Sequence, residues 1–333
     1  MFSGKVYDEN DERNVVEKCC FDNKHVENVC RKMEETFEQY FQLYLETKAG
    51  KIVSQSKIKE VQEKFGVKNS KTKNSTNLKD NFIEIQSQAI DDFEKDREKY
   101  EAIFDGETLD EYADNPVSFK SVVLKNECPI IHKTLANRLS KELDRYRAEF
   151  NRASAEGLLD VVCNLHNFGI DYSTEIYNPK TYDSISKYED LHMEKMSTDE
   201  LTYYGVIGGG IKSHMLFKIY PHLFPNRSQS AIWALWFLTK KNTFGCKMDS
   251  EFLMIDEKRC ITQQNYFYPY QLFVFYAFRL YKMIKEKAQE FGCKIENDYR
   301  YVMVDSFLNF VADQHEEEIK TLKHQITDDG IGF

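Results

Sequence analysis

The sequence predicts a mainly α, bundle-like fold with at most one short strand element. Apolar residues recur at intervals of three and four through most of the chain, the spacing that places them on one face of a helix. Its 333 residues include only 14 Gly and 6 Pro, so residues that break helices are few. The hydrophobic fraction of 41% is enough to bury a sizeable core, which excludes a disordered chain.

The first 125 residues are predicted to form a helical N-terminal region. An apolar stripe predicts a helix over residues 25–45, and sparser apolar positions predict a long acidic helix over 78–104. Between them, residues 51–77 contain seven Lys among the first 23 positions and are interpreted as a basic linker. A helix-turn-helix over this stretch is the alternative.

Residues 126–333 are predicted to form a helical core domain. Helices are expected over 134–163, over 211–220, after a cap at Asn226 or Ser228, and over 298–324. The segment 270–291 is apolar nearly all round, so it should be the most buried element. Residues 250–256 (SEFLMID) are the one strand candidate.

Charge and cysteine content narrow the classes of function. The net charge of −10 argues against coating nucleic acid by bulk attraction, but it permits a local basic groove. No run of 18 to 20 apolar residues and no N-terminal secretion pattern is present, so we expect a cytoplasmic protein without a membrane partner. The eight cysteines are not at metal-ligand spacing, and we expect reduced thiols, no metal and no cofactor. They are Cys19, Cys20, Cys30, Cys128, Cys163, Cys246, Cys260 and Cys293.

One segment, residues 206–216 (VIGGGIKSHML), has an order of residues that favours an anion site. A helix is expected to end before Gly208, and another to begin near Lys212 and Ser213. Glycines allow a tight turn and a close approach of the backbone to a ligand. The start of the following helix presents unpaired N–H groups and the positive end of its dipole, which suit a phosphate.

This segment resembles the helix-hairpin-helix motif of DNA glycosylases, over about residues 197–230. Gly208, Gly210, Lys212 and Ser213 match the glycines, lysine and hydroxyl of the motif. The resemblance implies an all-α core of helix-hairpin-helix type, a hairpin that grips double-stranded DNA, and excision of a flipped base. Two departures are Gly209, where the family has an apolar residue, and residues 223–228 (LFPNRS), which lack the family's catalytic carboxylate.

Other residues must therefore supply the chemistry. A carboxylate near the sugar would stabilise the positive charge that develops as a base leaves, and a lysine could attack the sugar carbon. The candidates are Asp249, Glu251, Asp256 and Lys212. Arg227, at the start of a helix, is a further candidate for contact with a DNA phosphate.

A flipped base also needs aromatic rings to stack on and amides to read its edge. Residues 262–270 (TQQNYFYPY) combine three amides with four aromatic residues. They predict a base pocket formed by Gln263, Gln264, Asn265, Tyr266 and Tyr268, although the same residues could simply build the core.

The leading hypothesis is therefore a DNA-binding protein that excises a damaged or modified base, in repair or in antiviral defence. The first alternative is a helical module that binds DNA or protein without catalysis. The second is a nuclease that uses Mg²⁺ held by Asp249, Glu251 and Asp256. The acidic N-terminal helices are a possible surface for a protein partner.

Overall fold

The computed structural model describes residues 18–46, 75–138, 143–246, 250–256 and 261–324. These residues are mainly helical, with two short strands, which confirms the predicted fold class. We number twelve helices and two strands in chain order. They are α1 (Asn23–Glu46), α2 (Ser75–Glu94), α3 (Arg97–Ile103), α4 (Gly106–Ala113), α5 (Pro129–Ala136), α6 (Asp144–Arg152), α7 (Ala155–Asp171), α8 (Gly209–Ile219), α9 (Gln229–Leu238), β1 (Leu253–Asp256), β2 (Ile261–Gln264), α10 (Tyr270–Glu290), α11 (Arg300–Gln314) and α12 (Glu316–His324).

Helix α1 agrees closely with the helix expected over 25–45. Its apolar side chains repeat every three or four residues from Val26 to Leu45 and are buried along one stripe. The long helix expected over 78–104 is instead two helices, because α2 ends at Glu94 and α3 begins at Arg97. The basic linker lies outside the described residues up to position 74, and its last three residues begin α2.

Three helices form the centre of the molecule. As predicted, α10 is deeply buried; it packs on α11, which in turn packs on α9. Helix α1 lies against all three, so residues on both sides of position 125 share one hydrophobic core. The boundary predicted there therefore does not separate two cores, and the face of α1 that remains for a partner is its charged one.

The middle of the chain is more broken than its sequence predicts. The helix expected over 134–163 is interrupted after Ala136 and again near Ala153, where α6 ends and Ser154 caps α7. A π-helical stretch (Phe119–Glu127) precedes α5, and several 3-10 turns fill residues 182–201. These turns pack beneath α10 and close one side of the core.

The predicted strand is shorter than expected and has a partner that the sequence analysis missed. Strand β1 runs from Leu253 to Asp256 and pairs antiparallel with β2, with Leu253 opposite Gln264. No helix among the described residues is both long enough and apolar enough to cross a bilayer.

Candidate phosphate site and adjoining cleft

The glycine segment begins α8, but the helix predicted before it is wrong. Residues Asp199–Leu201 form a single 3-10 turn, and Tyr203 then pairs with Ile207 in an isolated antiparallel bridge. Gly205 makes this tight turn with a φ of 81°, a conformation that side chains with a Cβ rarely adopt. The element before Gly208 is thus a hairpin of backbone, and the first helix of a helix-hairpin-helix is missing at this point.

Of the three glycines from 208 to 210, only Gly209 serves close packing, and none has an unusual backbone conformation. None of the three has a positive φ. A Cβ at Gly209 would lie 2.5 Å from Nη1 of Arg227, so only a glycine there lets the guanidinium lie against the start of the helix. A Cβ at Gly208 would meet no atom within 4 Å, so the space beside the N-cap residue is open.

Arg227 is a buried cation beneath this helix start. Its side chain is 5% exposed, and Nη2 donates to the carbonyl oxygens of Asn265 (3.0 Å) and Tyr266 (2.6 Å). Its Nε has no hydrogen-bond acceptor among the described residues, and none of their carboxylates lies within 4.0 Å of it. Burial lowers the pKa of Arg227 to about 10, so it still carries its charge at neutral pH.

Lys212 is a second buried cation at the same place. It is 4% exposed, and its Nζ donates to Oγ1 of Thr202 at 2.6 Å. No carboxylate of the described residues lies within 4.0 Å of this ammonium group either. Burial, with the charge of Arg227 beside it, lowers the pKa of Lys212 to about 8.

Ser213 faces the interior instead of an incoming ligand. Its hydroxyl donates to the carbonyl of Gly210 and accepts from the backbone N–H of Arg227, both at 3.1 Å. It therefore fastens the first turn of α8 to Arg227. A helix start, two buried cations without a carboxylate within 4.0 Å and open space beside Gly208 make this place a candidate anion site.

A cleft of about 490 Å³ opens further along α8. Its walls come from α2 and α3, from α5, from α8 and from α11. On α8, Lys218 forms a 2.6 Å ion pair with Asp96, donates to the carbonyl of Phe93, and lies 4.5 Å from the centre of the Phe93 ring. Lys218 is as buried as Lys212, but its charge is fully compensated.

Asp305 is an acid of this cleft with a raised pKa. It accepts hydrogen bonds from Nδ2 of Asn226 (2.9 Å) and Nδ2 of Asn309 (3.0 Å). Burial raises its pKa to about 6, and burial likewise raises the pKa of Asp313 to about 6. Burial and the charge of Lys218 lower the pKa of His214 to about 4, so this ring is neutral near pH 7.

The cleft carries more acid than base. Its lining contains four Asp and two Lys, so it favours a neutral or cationic group over a phosphate. Gly210, His214 and Lys218 are spaced by four residues and so share one face of α8. Asn226 faces Asp305 in the cleft, whereas Arg227, its neighbour in the chain, faces Gly209.

Of the three predicted catalytic acids, only Glu251 has a described side chain, and it does not line the cleft. Asp249 lies outside the described residues, and Asp256 ends β1. The Glu251 carboxylate is buried; it pairs with Nε2 of His25 at 2.7 Å and accepts hydrogen bonds from the hydroxyls of Tyr268 and Tyr276. Glu251 also precedes β1, so it has no strand face.

Most residues of the predicted base pocket are hydrogen-bonded within the protein and support its structure. Gln264 accepts from the Trp233 indole, Asn265 Oδ1 accepts from the N–H of Phe267, and Tyr268 contacts Glu251. Asn265 and Tyr266 contribute backbone carbonyls to Arg227, and Gln263 lies half-buried in β2. The cleft contains none of the five.

Asp305, Lys218 and Asn309 are the cleft residues that the sequence analysis missed. A signal for them exists, since each interrupts an otherwise apolar helix and should be buried by its neighbours. Comparison of the chain with protein-family models, with curated proteins and with solved structures gave no match.

Proposed function

We propose that this protein binds DNA by holding a backbone phosphate at the start of α8. The observation that supports the proposal is the pair of buried cations, Lys212 and Arg227, neither of which has a carboxylate of the described residues within 4.0 Å. A phosphate beside Gly208 would accept from the first N–H groups of α8 and pair with both charges. The compartment implied is one that contains DNA, which for this chain we take to be the cytoplasm.

Binding to a fluorescent duplex, followed by anisotropy over a range of salt concentrations, tests this proposal. Lys212→Met should weaken binding and reduce the slope of log K against log salt by about one, the value expected for one lost phosphate contact. Lys240→Met is the matched control, because Lys240 is an exposed lysine paired with Glu35 at 2.9 Å. Equal affinities and slopes for the two variants would contradict the proposal.

Base excision is a second candidate function, favoured by the acidic cleft that α8 also lines. A duplex held at the start of α8 would have the cleft close by, since His214 lies about 8 Å along the helix axis from Gly209. Asp305, mostly ionised at neutral pH, would stabilise positive charge on the sugar as the base leaves. In this proposal the catalytic acid is Asp305 on α11, in place of Asp249, Glu251 and Asp256.

Duplexes that contain alkylated, oxidised or deaminated bases, treated with alkali after incubation, test for excision. Asp305→Asn should lower the rate of abasic-site formation about 100-fold or more, whereas Asp298→Asn, an exposed acid near the start of α11, should not. Tight binding without release of any base would favour the module without catalysis. Strand cleavage that requires Mg²⁺ would favour the nuclease.

A further inference from the structure

Three cysteines from opposite ends of the chain meet at one place on the surface of the core. The sulfur atoms of Cys19, Cys20 and Cys246 all lie within 4.8 Å of one another. Cys19 and Cys20 are on the 3-10 turn before α1 (Lys18–Phe21), and Cys246 lies in the chain segment after α9. The sequence spacing gave no indication of this cluster, because 226 residues separate Cys20 from Cys246.

The distances within the cluster suit a tetrahedral metal ion. Sγ of Cys20 and Sγ of Cys246 are 3.7 Å apart. Two thiolates at about 2.3 Å from a tetrahedral zinc ion are about 3.8 Å apart, whereas a disulfide requires about 2.05 Å.

His25 and Glu251 lie beside Cys20, one of the three cysteines. A ring nitrogen of His25 and a carboxylate oxygen of Glu251 each lie within 4.8 Å of the Cys20 sulfur. His25 Nε2 is paired with Glu251 at 2.7 Å, which makes Nδ1 the nitrogen that can face an ion. Histidines that bind metals usually pair their other ring nitrogen with a carboxylate in this way.

We propose that Cys19, Cys20 and Cys246 bind a zinc ion, with His25, which Glu251 holds beside the Cys20 sulfur, moving in as the fourth ligand. Glu251 is itself fixed by the hydroxyls of Tyr268 and Tyr276, so the support of the site extends into α10. Three thiolates and a neutral imidazole are a donor set typical of structural zinc.

The ion would also fasten a bend that is strained in its backbone. Lys240, Lys241 and Phe244 have φ values of 55°, 60° and 54°, a region that residues other than glycine rarely occupy. This bend returns the chain from α9 to the start of α1, where the Phe244 ring contacts that of His25. The proposed zinc would hold the two segments together.

Metal content of the purified full chain, measured by mass spectrometry, is the first test, and one zinc per chain is expected. Cobalt substitution should give thiolate-to-cobalt charge-transfer absorption, which reports sulfur ligands without any assay of activity. Chelation should lower the melting temperature by about 5 °C or more. Cys246→Ser should lose the absorption, and Cys163→Ser, a half-buried cysteine elsewhere, should keep it.

Glu251→Gln keeps all four ligands and should lower zinc affinity about 10- to 100-fold without changing the stoichiometry. If Cys246→Ser does not fold, this variant still tests the site. A wild-type chain that takes up neither zinc nor cobalt under reducing conditions would overturn the proposal, and so would a Cys20–Cys246 disulfide in the native protein.

Discussion

Helix α8 carries two lysines that are equally buried but have different partners for their charges. Lys218 has an aspartate at 2.6 Å, a backbone carbonyl and an aromatic ring for its charge. Lys212, six residues earlier, has one threonine hydroxyl and a neighbouring arginine. The comparison teaches that burial alone does not identify a binding residue. A buried cation paired inside the protein supports the fold, whereas one without a carboxylate is suited to a charge from outside.

Among the variants that test this comparison, Lys218→Met should have the largest effect on the free energy of unfolding. Lys218→Met leaves Asp96 with only a 3.9 Å ion pair to Lys133, and it removes the positive charge near Asp305. Removing one member of a buried pair costs about 3–5 kcal/mol, and we expect a loss near 3 kcal/mol because Asp96 is partly exposed. Urea unfolding measures it. A loss below about 1 kcal/mol would mean that the pair does not support the fold.

A smaller effect is expected at the start of the helix. Gly209→Ala places a methyl group 2.5 Å from Nη1 of Arg227, so the guanidinium must move. Overpacking of this kind costs about 1–3 kcal/mol, and we expect DNA affinity to fall with it. Gly208→Ala is the control, since no atom lies within 4 Å of the new methyl group. Equal losses for both variants would show that helix propensity, and not Arg227, requires the glycines.

The raised pKa of Asp305 predicts that the free energy of unfolding depends on pH. The pKa of Asp305 is raised to about 6, so the folded state holds its proton more tightly than the unfolded state does. Its contribution is therefore complete below about pH 4 and is lost as the pH rises through about 6. Between pH 5 and 7.5 the wild type should lose about 1 kcal/mol relative to Asp305→Asn. Parallel stability profiles for the two proteins would contradict the assignment.

The smallest effect on stability is expected for Lys212→Met. This change removes a buried charge whose pKa is lowered to about 8 and also the bond to Thr202. The two contributions oppose each other, so the free energy of unfolding without DNA should fall by less than about 1 kcal/mol, or rise. Urea unfolding in a buffer free of phosphate measures it. A loss as large as that of Lys218→Met would erase the distinction between the two lysines.

The fold class and the longest helices could be predicted from the sequence because their apolar stripes are local signals. Helix α1 was predicted almost to its ends, and the burial of α10 followed from apolar residues on every side. The breaks after Glu94 and Ala136 were not predicted, since they depend on packing against distant segments. The glycine turn was found, but the contacts of Lys212 with Thr202 and of Ser213 with Arg227 join residues that local periodicity does not pair.

Asn226 and Arg227 are adjacent in the chain, and their side chains contact two different places in the protein. One side chain is tied to Asp305 in the cleft and the next to the backbone of residues 265 and 266 under Gly209. A ligand that draws Arg227 toward itself therefore displaces the backbone that orients Asn226. Occupancy of either place should consequently alter the affinity of the other.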